Sequence, residues 1–201
     1  MKGIAVNESI GHKPSDFLLA VPPKRHCALF FEDDATGRKL EFEFVERGLA
    51  EKQRCLYIVH SDEETAAIEG KMKENASLRE GIRKGLLATY RDTHLPQSSD
   101  EVPAWFAERM KSMSQGSKEQ LRVVGTTLPE IATVDQMTTQ GAIEAAIQSA
   151  VGDSAMTVLC SFCAAKVSDD VRNDWFLRMI QNHHSAIFAP KKGEGVAFDM
   201  R

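Results

Sequence analysis

Six residues with almost no polarity, 26–31, are followed at once by three carboxylates at 32–34. A short apolar run bounded in this way is typical of a strand that is buried on both faces and ends in a polar loop. Such a strand needs a covering layer above and below it. The segment therefore predicts a layered α/β domain organised around this strand.

The same unit recurs along the chain, because further apolar runs alternate with stretches whose apolar residues have helical spacing. The predicted strands are 26–31, 54–59, 86–90, 121–125, 155–163 and 185–189, and the predicted helices are 36–52, 61–75, 99–115, 134–151 and 168–180. Strands that alternate with helices of this length pair in parallel through right-handed crossovers. We therefore predict an α/β fold, a three-layer α/β/α sandwich with a mostly parallel sheet.

The two ends of the chain have weaker patterns. Residues 1–22 contain several glycines and prolines, and we interpret them as an N-terminal arm whose apolar run 16–21 covers an edge of the core. Residues 191–201 are mostly polar and are predicted to form a C-terminal tail. One domain is therefore expected at 23–190.

Charge and hydropathy argue against two classes of partner. The 201 residues carry a formal net charge of -4 at pH 7, so no global field attracts nucleic acid or anionic membranes. No apolar run is long enough to cross a bilayer, and the first residues lack the apolar centre of a signal peptide. We expect a cytoplasmic protein that binds neither nucleic acid nor membranes directly.

Polar residues follow most of the predicted strands. In open α/β sheets, ligands bind in the crevice beyond the carboxyl ends of the strands. Carboxylates in such loops also commonly cap the next helix, so position alone assigns none of these residues a function. The candidates are Glu32, Asp33, Asp34, His60, Ser61, Arg91, Asp92, Thr126, Thr127 and Cys163.

The loop after the first strand does not have the features of a nucleotide site. A phosphate loop needs a glycine-rich turn with a Lys and a Ser or Thr, and a dinucleotide site needs three spaced glycines. Residues 32–39 contain one glycine and begin with carboxylates that would repel phosphate. We therefore predict no cofactor, and since no complete catalytic motif is present, we favour a non-enzymatic role.

The cysteines and histidines leave an alternative open. Cys160 and Cys163 have the spacing of half a zinc site or of a redox pair, and His26 and Cys27 add two more ligand types. Residues three apart on a strand point to opposite faces, which favours apolar core cysteines and no metal. The pair at 183–184 is typical of a helix terminus. The alternative function is a thiol- or metal-dependent redox sensor or enzyme using Cys160, Cys163, Cys27 and His26.

Several motifs resemble the MEDS family, the sensory domain named after methanogens, methylotrophs and the repressor of dichloromethane dehalogenase. They are HCALFFE at 26–32, FVERGLAEKQRCLYI at 44–58, LRVVG at 121–125, LCSF at 159–162 and HHSAI at 183–187. The most specific of them is the F-x-x-x-G-L helix end that leads into the strand at 54–58. The similarity covers about residues 24–190, which is nearly the whole chain.

The resemblance implies a RecA-like fold without a phosphate loop and a sensory domain for simple hydrocarbon derivatives in prokaryotic signal transduction or transcriptional regulation. It also implies that His26 and Cys160 belong to the sensing machinery. Such a domain acts through a separate signalling or regulatory protein, and a homodimer is the commonest symmetric arrangement. The ligand-binding residues that we predict are His26, Phe31, Glu32, Arg122, Thr126 and Cys160.

Overall fold

The computed structural model describes residues 11–113, 120–126 and 131–200. The helices are α1 (Pro14–Ala20), α2 (Asp34–Ala50), α3 (Asp62–Glu74), α4 (Ala76–Arg83), α5 (Val102–Met113), α6 (Val134–Asp153) and α7 (Asp169–Gln181). The strands are β1 (His26–Phe31), β2 (Arg54–Val59), β3 (Leu87–Arg91), β4 (Leu121–Thr126), β5 (Met156–Cys163), β6 (Ser185–Ala189) and β7 (Val196–Asp199). None of these helices is both long and apolar enough to span a membrane.

The described strands form a single sheet in the order β3-β2-β4-β5-β1-β6-β7. Strands β1 to β6 are parallel to their neighbours, and β7 pairs with β6 in the antiparallel direction. The predicted three-layer sandwich with a mostly parallel sheet is confirmed. β1 lies between β5 and β6, and all six of its residues are buried, as the sequence predicted.

Each face of the sheet has its own apolar core, because successive strand residues point to opposite sides. Cys27, Leu29 and Phe31 contact the core beneath α1 to α4. Ala28 and Phe30 contact the core beneath α5 to α7. We refer to these two sides as the α1–α4 face and the α5–α7 face.

The ends of the chain contain more structure than the sequence indicated. Helix α1 lies within the predicted arm and buries Phe17 and Leu18 against the α1–α4 core. Strand β7 lies within the predicted tail, where Ala197 is buried and pairs with β6. Helix α4 was not predicted, and its eight residues are too few for a clear periodicity. Residues 1–10 and 201 of the two end segments lie outside the described part of the chain.

The helix-end motif around Gly48 has a packing role. A Cβ atom at this position would lie 2.7 Å from Arg122 Cδ and 2.8 Å from Cys55 Sγ. The buried Arg122 side chain donates from Nε to Gln53 Oε1 at 2.8 Å and from Nη1 to the Phe44 carbonyl at 3.2 Å. The glycine therefore leaves room for an arginine that ties the end of α2 to β4.

We predict that Gly48→Ala lowers the free energy of unfolding by about 1–3 kcal/mol, because an added methyl group overpacks a filled core. Gly70→Ala is the matched control, since Gly70 lies inside α3 and a Cβ atom there meets nothing within 4 Å. This control should gain up to about 1 kcal/mol from helix propensity. Urea denaturation measures both variants, and equal stabilities would contradict the packing role of Gly48.

Candidate functional site

Four polar side chains meet within the apolar core on the α5–α7 face. His26 begins β1, Cys160 lies in β5, Glu144 lies in α6, and His183 lies in the short connection between α7 and β6. All four are buried, none with more than 1% of its surface exposed. One nitrogen, sulfur or oxygen atom from each lies within 4.8 Å of those from the other three. We call these residues the His-Cys-Glu cluster.

The sheet register and the helix period bring the cluster together. In the parallel pairing of β1 with β5, Cys160 is aligned with the residue two positions after His26. Both side chains therefore point to the same face as diagonal neighbours. On α6, the polar residues Gln140, Glu144 and Gln148 are spaced four apart, so that they form a stripe along one side of the helix. This stripe places the Glu144 carboxylate over the two strands.

The polar atoms of the cluster approach one another closely. Glu144 Oε2 lies 3.2 Å from His26 Nε2 and 3.3 Å from His183 Nε2. Cys160 Sγ lies 3.2 Å from His26 Nε2. Despite these distances, neither Glu144 Oε2 nor His183 Nε2 has a hydrogen-bond partner with acceptable geometry among the described residues. These nitrogen, oxygen and sulfur atoms point towards one common point, and Glu144 Oε2 and His183 Nε2 do so without forming hydrogen bonds.

Backbone carbonyls define the tautomers of both histidines. His26 Nδ1 lies 2.9 Å from the Asn182 carbonyl oxygen, and His183 Nδ1 is hydrogen-bonded to the Met179 carbonyl oxygen. A carbonyl oxygen can only accept a hydrogen bond, so a neutral imidazole in either position carries its hydrogen on Nδ1. The Nε2 lone pairs of both rings therefore face the interior of the cluster.

The cluster buries a negative charge. Burial raises the pKa of Glu144, and lowering this pKa below its usual range takes a hydrogen-bond donor or a positive charge on the side of His183 and His26. Burial, together with the neighbouring His183, lowers the pKa of His26 to about 4. Burial and the Glu144 carboxylate raise the pKa of the Cys160 thiol. A buried carboxylate thus lies beside a neutral imidazole and a neutral thiol, an arrangement that is costly without a compensating cation.

An apolar cavity of about 70 Å³ lies beside the cluster, between the sheet and helices α5 and α6. Cys160 belongs to its wall and so contacts both features. The other apolar lining residues include Ile58, Val123, Ile143, Ile147 and Met156.

The lining residues with polar groups include His60, Tyr90, Asp92, Trp105 and Arg109. Arg109 donates from Nε to Asp92 Oδ2 at 2.8 Å, so these two charges are paired with each other. The indole nitrogen of Trp105 is buried and has no hydrogen-bond partner among the described residues. Most of the lining is apolar, and Trp105 adds a donor that no described residue pairs with.

A larger crevice of about 570 Å³ lies beyond the carboxyl ends of β1, β2 and β5. Within it, the Glu41 carboxylate accepts hydrogen bonds from the Tyr57 and Ser161 hydroxyls and lies 3.0 Å from Arg38. Its described lining residues include more carboxylates than cationic side chains. The carboxylates are Asp34, Glu41, Glu63 and Glu64, and the cations are Arg38 and Lys166. This composition disfavours phosphate, as the sequence of the first loop indicated.

The structure brings together two of the predicted ligand-binding residues, His26 and Cys160. Phe31 faces the opposite core and lines the crevice, while Glu32 is exposed after β1. Arg122 is buried below α2 and lines neither the cavity nor the crevice. The Thr126 side chain and all of Thr127 lie outside the described part of the chain. A role in ligand binding stays a prediction for all of these residues.

The alternative thiol site is not formed as the sequence suggested. Cys27 and Cys163 pack on the α1–α4 face, whereas Cys160 packs on the α5–α7 face. The physical reason is strand alternation, which separates residues three apart onto opposite sides. Burial also raises the pKa of the Cys27 thiol to about 12. Of the four residues in that proposal, the structure joins only His26 and Cys160.

Sequence reasoning missed Glu144 and His183. The signal for Glu144 was present in the stripe of Gln140, Glu144 and Gln148, since polar residues spaced four apart in an alanine-rich helix indicate a polar contact along one side. His183 lies in the HHSAI motif at 183–187, but we interpreted the pair at 183–184 as a helix terminus. Its position depends on how the connection from α7 to β6 returns to the sheet.

Comparisons with known proteins agree with this architecture. The sequence profile of a family described as MEDS, the MEthanogen/methylotroph, DcmR Sensory domain, matches residues 25–177. No curated protein matches the chain. A solved KaiC-like protein from Pyrococcus horikoshii OT3 is similar with a TM-score of 0.52 at 10% sequence identity, over 90% of this chain and 81% of that chain. This structural similarity confirms the RecA-like fold. Because the profile spans most of the sequence, the chain belongs to the MEDS family of sensory domains.

Proposed function

We propose that this protein senses a small, largely apolar molecule that binds in the cavity between the sheet and helices α5 and α6. The observation that carries the proposal is the apolar lining of this cavity, with Cys160 in its wall. Apolar concave sites with a few polar groups are the usual receptors for small molecules. Membership of a sensory family supports the same role.

The dimensions of the cavity restrict its ligand. Its volume of about 70 Å³ is less than half of the roughly 150 Å³ of an engineered cavity that accepts benzene. The unsatisfied indole N–H of Trp105 favours a ligand with a hydrogen-bond acceptor. Both properties fit a short hydrocarbon derivative that carries oxygen or halogen.

We propose that helix α5 transmits ligand binding to a partner protein. A ligand in the cavity would contact Trp105 and Phe106 on α5 and Ile143 on α6 at the same time. Residues on the other side of α5, such as Ala104 and Glu108, are exposed. A separate signalling or regulatory protein, or a second copy in a homodimer, would recognise the ligand-bound form through a surface that includes α5.

We predict that short oxygenated or halogenated hydrocarbons raise the melting temperature of the purified protein, because a ligand of the native state stabilises that state. At about 100 times Kd the gain is about 2.7 kcal/mol. In a chain of this size it corresponds to a rise of roughly 5–11 °C. Differential scanning calorimetry over a concentration series measures the shift. Benzene is the oversized control, and no shift across the whole panel would contradict the proposal.

We predict that Gly125→Ala weakens binding of the molecules that give a shift, since the new methyl group would reduce the volume of the cavity. Among the described residues, a Cβ atom at Gly125 meets only Ile58 Cδ1, at 3.8 Å, so the fold accommodates it. Gly152→Ala is the control, because a Cβ atom near the end of α6 meets nothing within 4 Å. Isothermal titration should give a higher Kd for the first variant alone. Unchanged affinity in Gly125→Ala would place the ligand elsewhere.

A further inference from the structure

The His-Cys-Glu cluster has more lone pairs than hydrogens. Nε2 of His26, Nε2 of His183 and Oε2 of Glu144 all act as acceptors, given the Nδ1–H tautomers set by the backbone carbonyls. The thiol of Cys160 offers a single hydrogen. One hydrogen cannot pair with three converging acceptors, and buried acceptors without partners are costly.

We propose that the His-Cys-Glu cluster binds a divalent transition metal ion, Zn²⁺ in the first instance. The ligand atoms are Nε2 of His26 and His183, Sγ of Cys160 and Oε2 of Glu144. Each of these atom types is a common zinc ligand, and four protein ligands are the usual number in a closed tetrahedral site. The proposal revises the expectation from sequence that the chain has no metal site.

The distances between the ligand atoms fit such an ion. Zn²⁺ binds nitrogen and oxygen at about 2.0–2.1 Å, so two such ligands in a tetrahedral site lie about 3.3 Å apart. Glu144 Oε2 lies 3.2 Å from His26 Nε2 and 3.3 Å from His183 Nε2. These two distances match the tetrahedral value, and all four ligand atoms lie within 4.8 Å of one another.

The groups behind the ligands are also those of a metal site. Metal-binding histidines almost always donate their second N–H to a carbonyl or carboxylate, which sets the ring orientation. The Asn182 carbonyl accepts this hydrogen bond from His26, and the Met179 carbonyl accepts it from His183. The other carboxylate oxygen of Glu144 accepts a hydrogen bond from Gln140 Nε2. All three side chains are thus held from outside the cluster.

Charge balance favours the same conclusion. Cys160 would bind as a thiolate, and its proton would leave to solvent as the metal–sulfur bond forms. The thiolate and the Glu144 carboxylate then carry two negative charges against the two positive charges of the ion. The buried centre becomes neutral overall, whereas the metal-free cluster holds an isolated carboxylate. Thiolate and imidazole ligands select zinc and similar ions over magnesium and calcium.

The test uses Zn²⁺ alone and Co²⁺ alone as probes. The full chain is purified under reducing conditions, treated with a chelator and titrated with each ion, with elemental analysis and visible absorption as readouts. We expect one ion per chain, and a thiolate-to-Co²⁺ charge-transfer band with intense tetrahedral d–d bands. Loss of a direct ligand in Cys160→Ser should remove the charge-transfer band. It should also weaken binding more than 100-fold, since altering outer groups alone costs about 10–100-fold.

Two further variants keep the test decisive. Cys163→Ser is the matched control, because this cysteine lies on the same strand but faces the opposite core, and it should bind the ions as the wild type does. Glu144→Gln keeps the shape of the side chain but removes its charge. It replaces Cys160→Ser as the ligand variant if Cys160→Ser does not fold. The proposal is overturned if the folded wild type takes up less than one ion or shows no charge-transfer band. It is also overturned if Cys160→Ser or Glu144→Gln binds as tightly as the wild type.

Discussion

Burial of the Glu144 carboxylate is the constraint that governs packing at the centre of the α5–α7 face. Removing a carboxylate from water costs several kcal/mol, and the cost is recovered only with well-placed partners. Here the side chains that converge on the carboxylate come from β1, from β5 and from the connection between α7 and β6. The pairing of β1 with β5 and the docking of α6 and α7 must therefore all be correct for this one charge to be accommodated. A polar centre of this kind makes the packing of four separate segments interdependent.

The position of this centre differs from that of ligand sites in most open α/β sheets. Those sites lie at the carboxyl ends of the strands, where helix N-termini and backbone N–H groups receive anions. In this protein the corresponding crevice contains Glu41, whose raised pKa reflects burial, and further carboxylates. The apolar cavity and the cluster instead lie on the face of the sheet, beneath α5 and α6. This RecA-like architecture thus has a cavity between its sheet and one of its helical layers.

The fold was predictable because its signals are local. The burial of a strand such as 26–31 can be predicted from its own apolar residues, and the alternation of helices and strands restricts the topology to a few arrangements. Strand β7 was missed because it has four residues and only Ala197 turns fully inward. The cluster was only half predictable for a different reason. The family resemblance identified His26 and Cys160. Glu144 and His183 join them through contacts between residues far apart in the sequence, which local periodicity cannot predict.

Cys160 is the residue that connects the cavity to the cluster. Its side chain forms part of the cavity wall and lies 3.2 Å from His26 Nε2. On β5 it stands between β4, which contributes Val123 and Gly125 to the cavity, and β1, which contributes His26 to the cluster. A ligand that shifts the sulfur would change the affinity of the cluster for an ion, and by thermodynamic linkage the ion would change the affinity for the ligand by the same factor. The two proposed sites can therefore be coupled through one side chain, without a large rearrangement of the sheet.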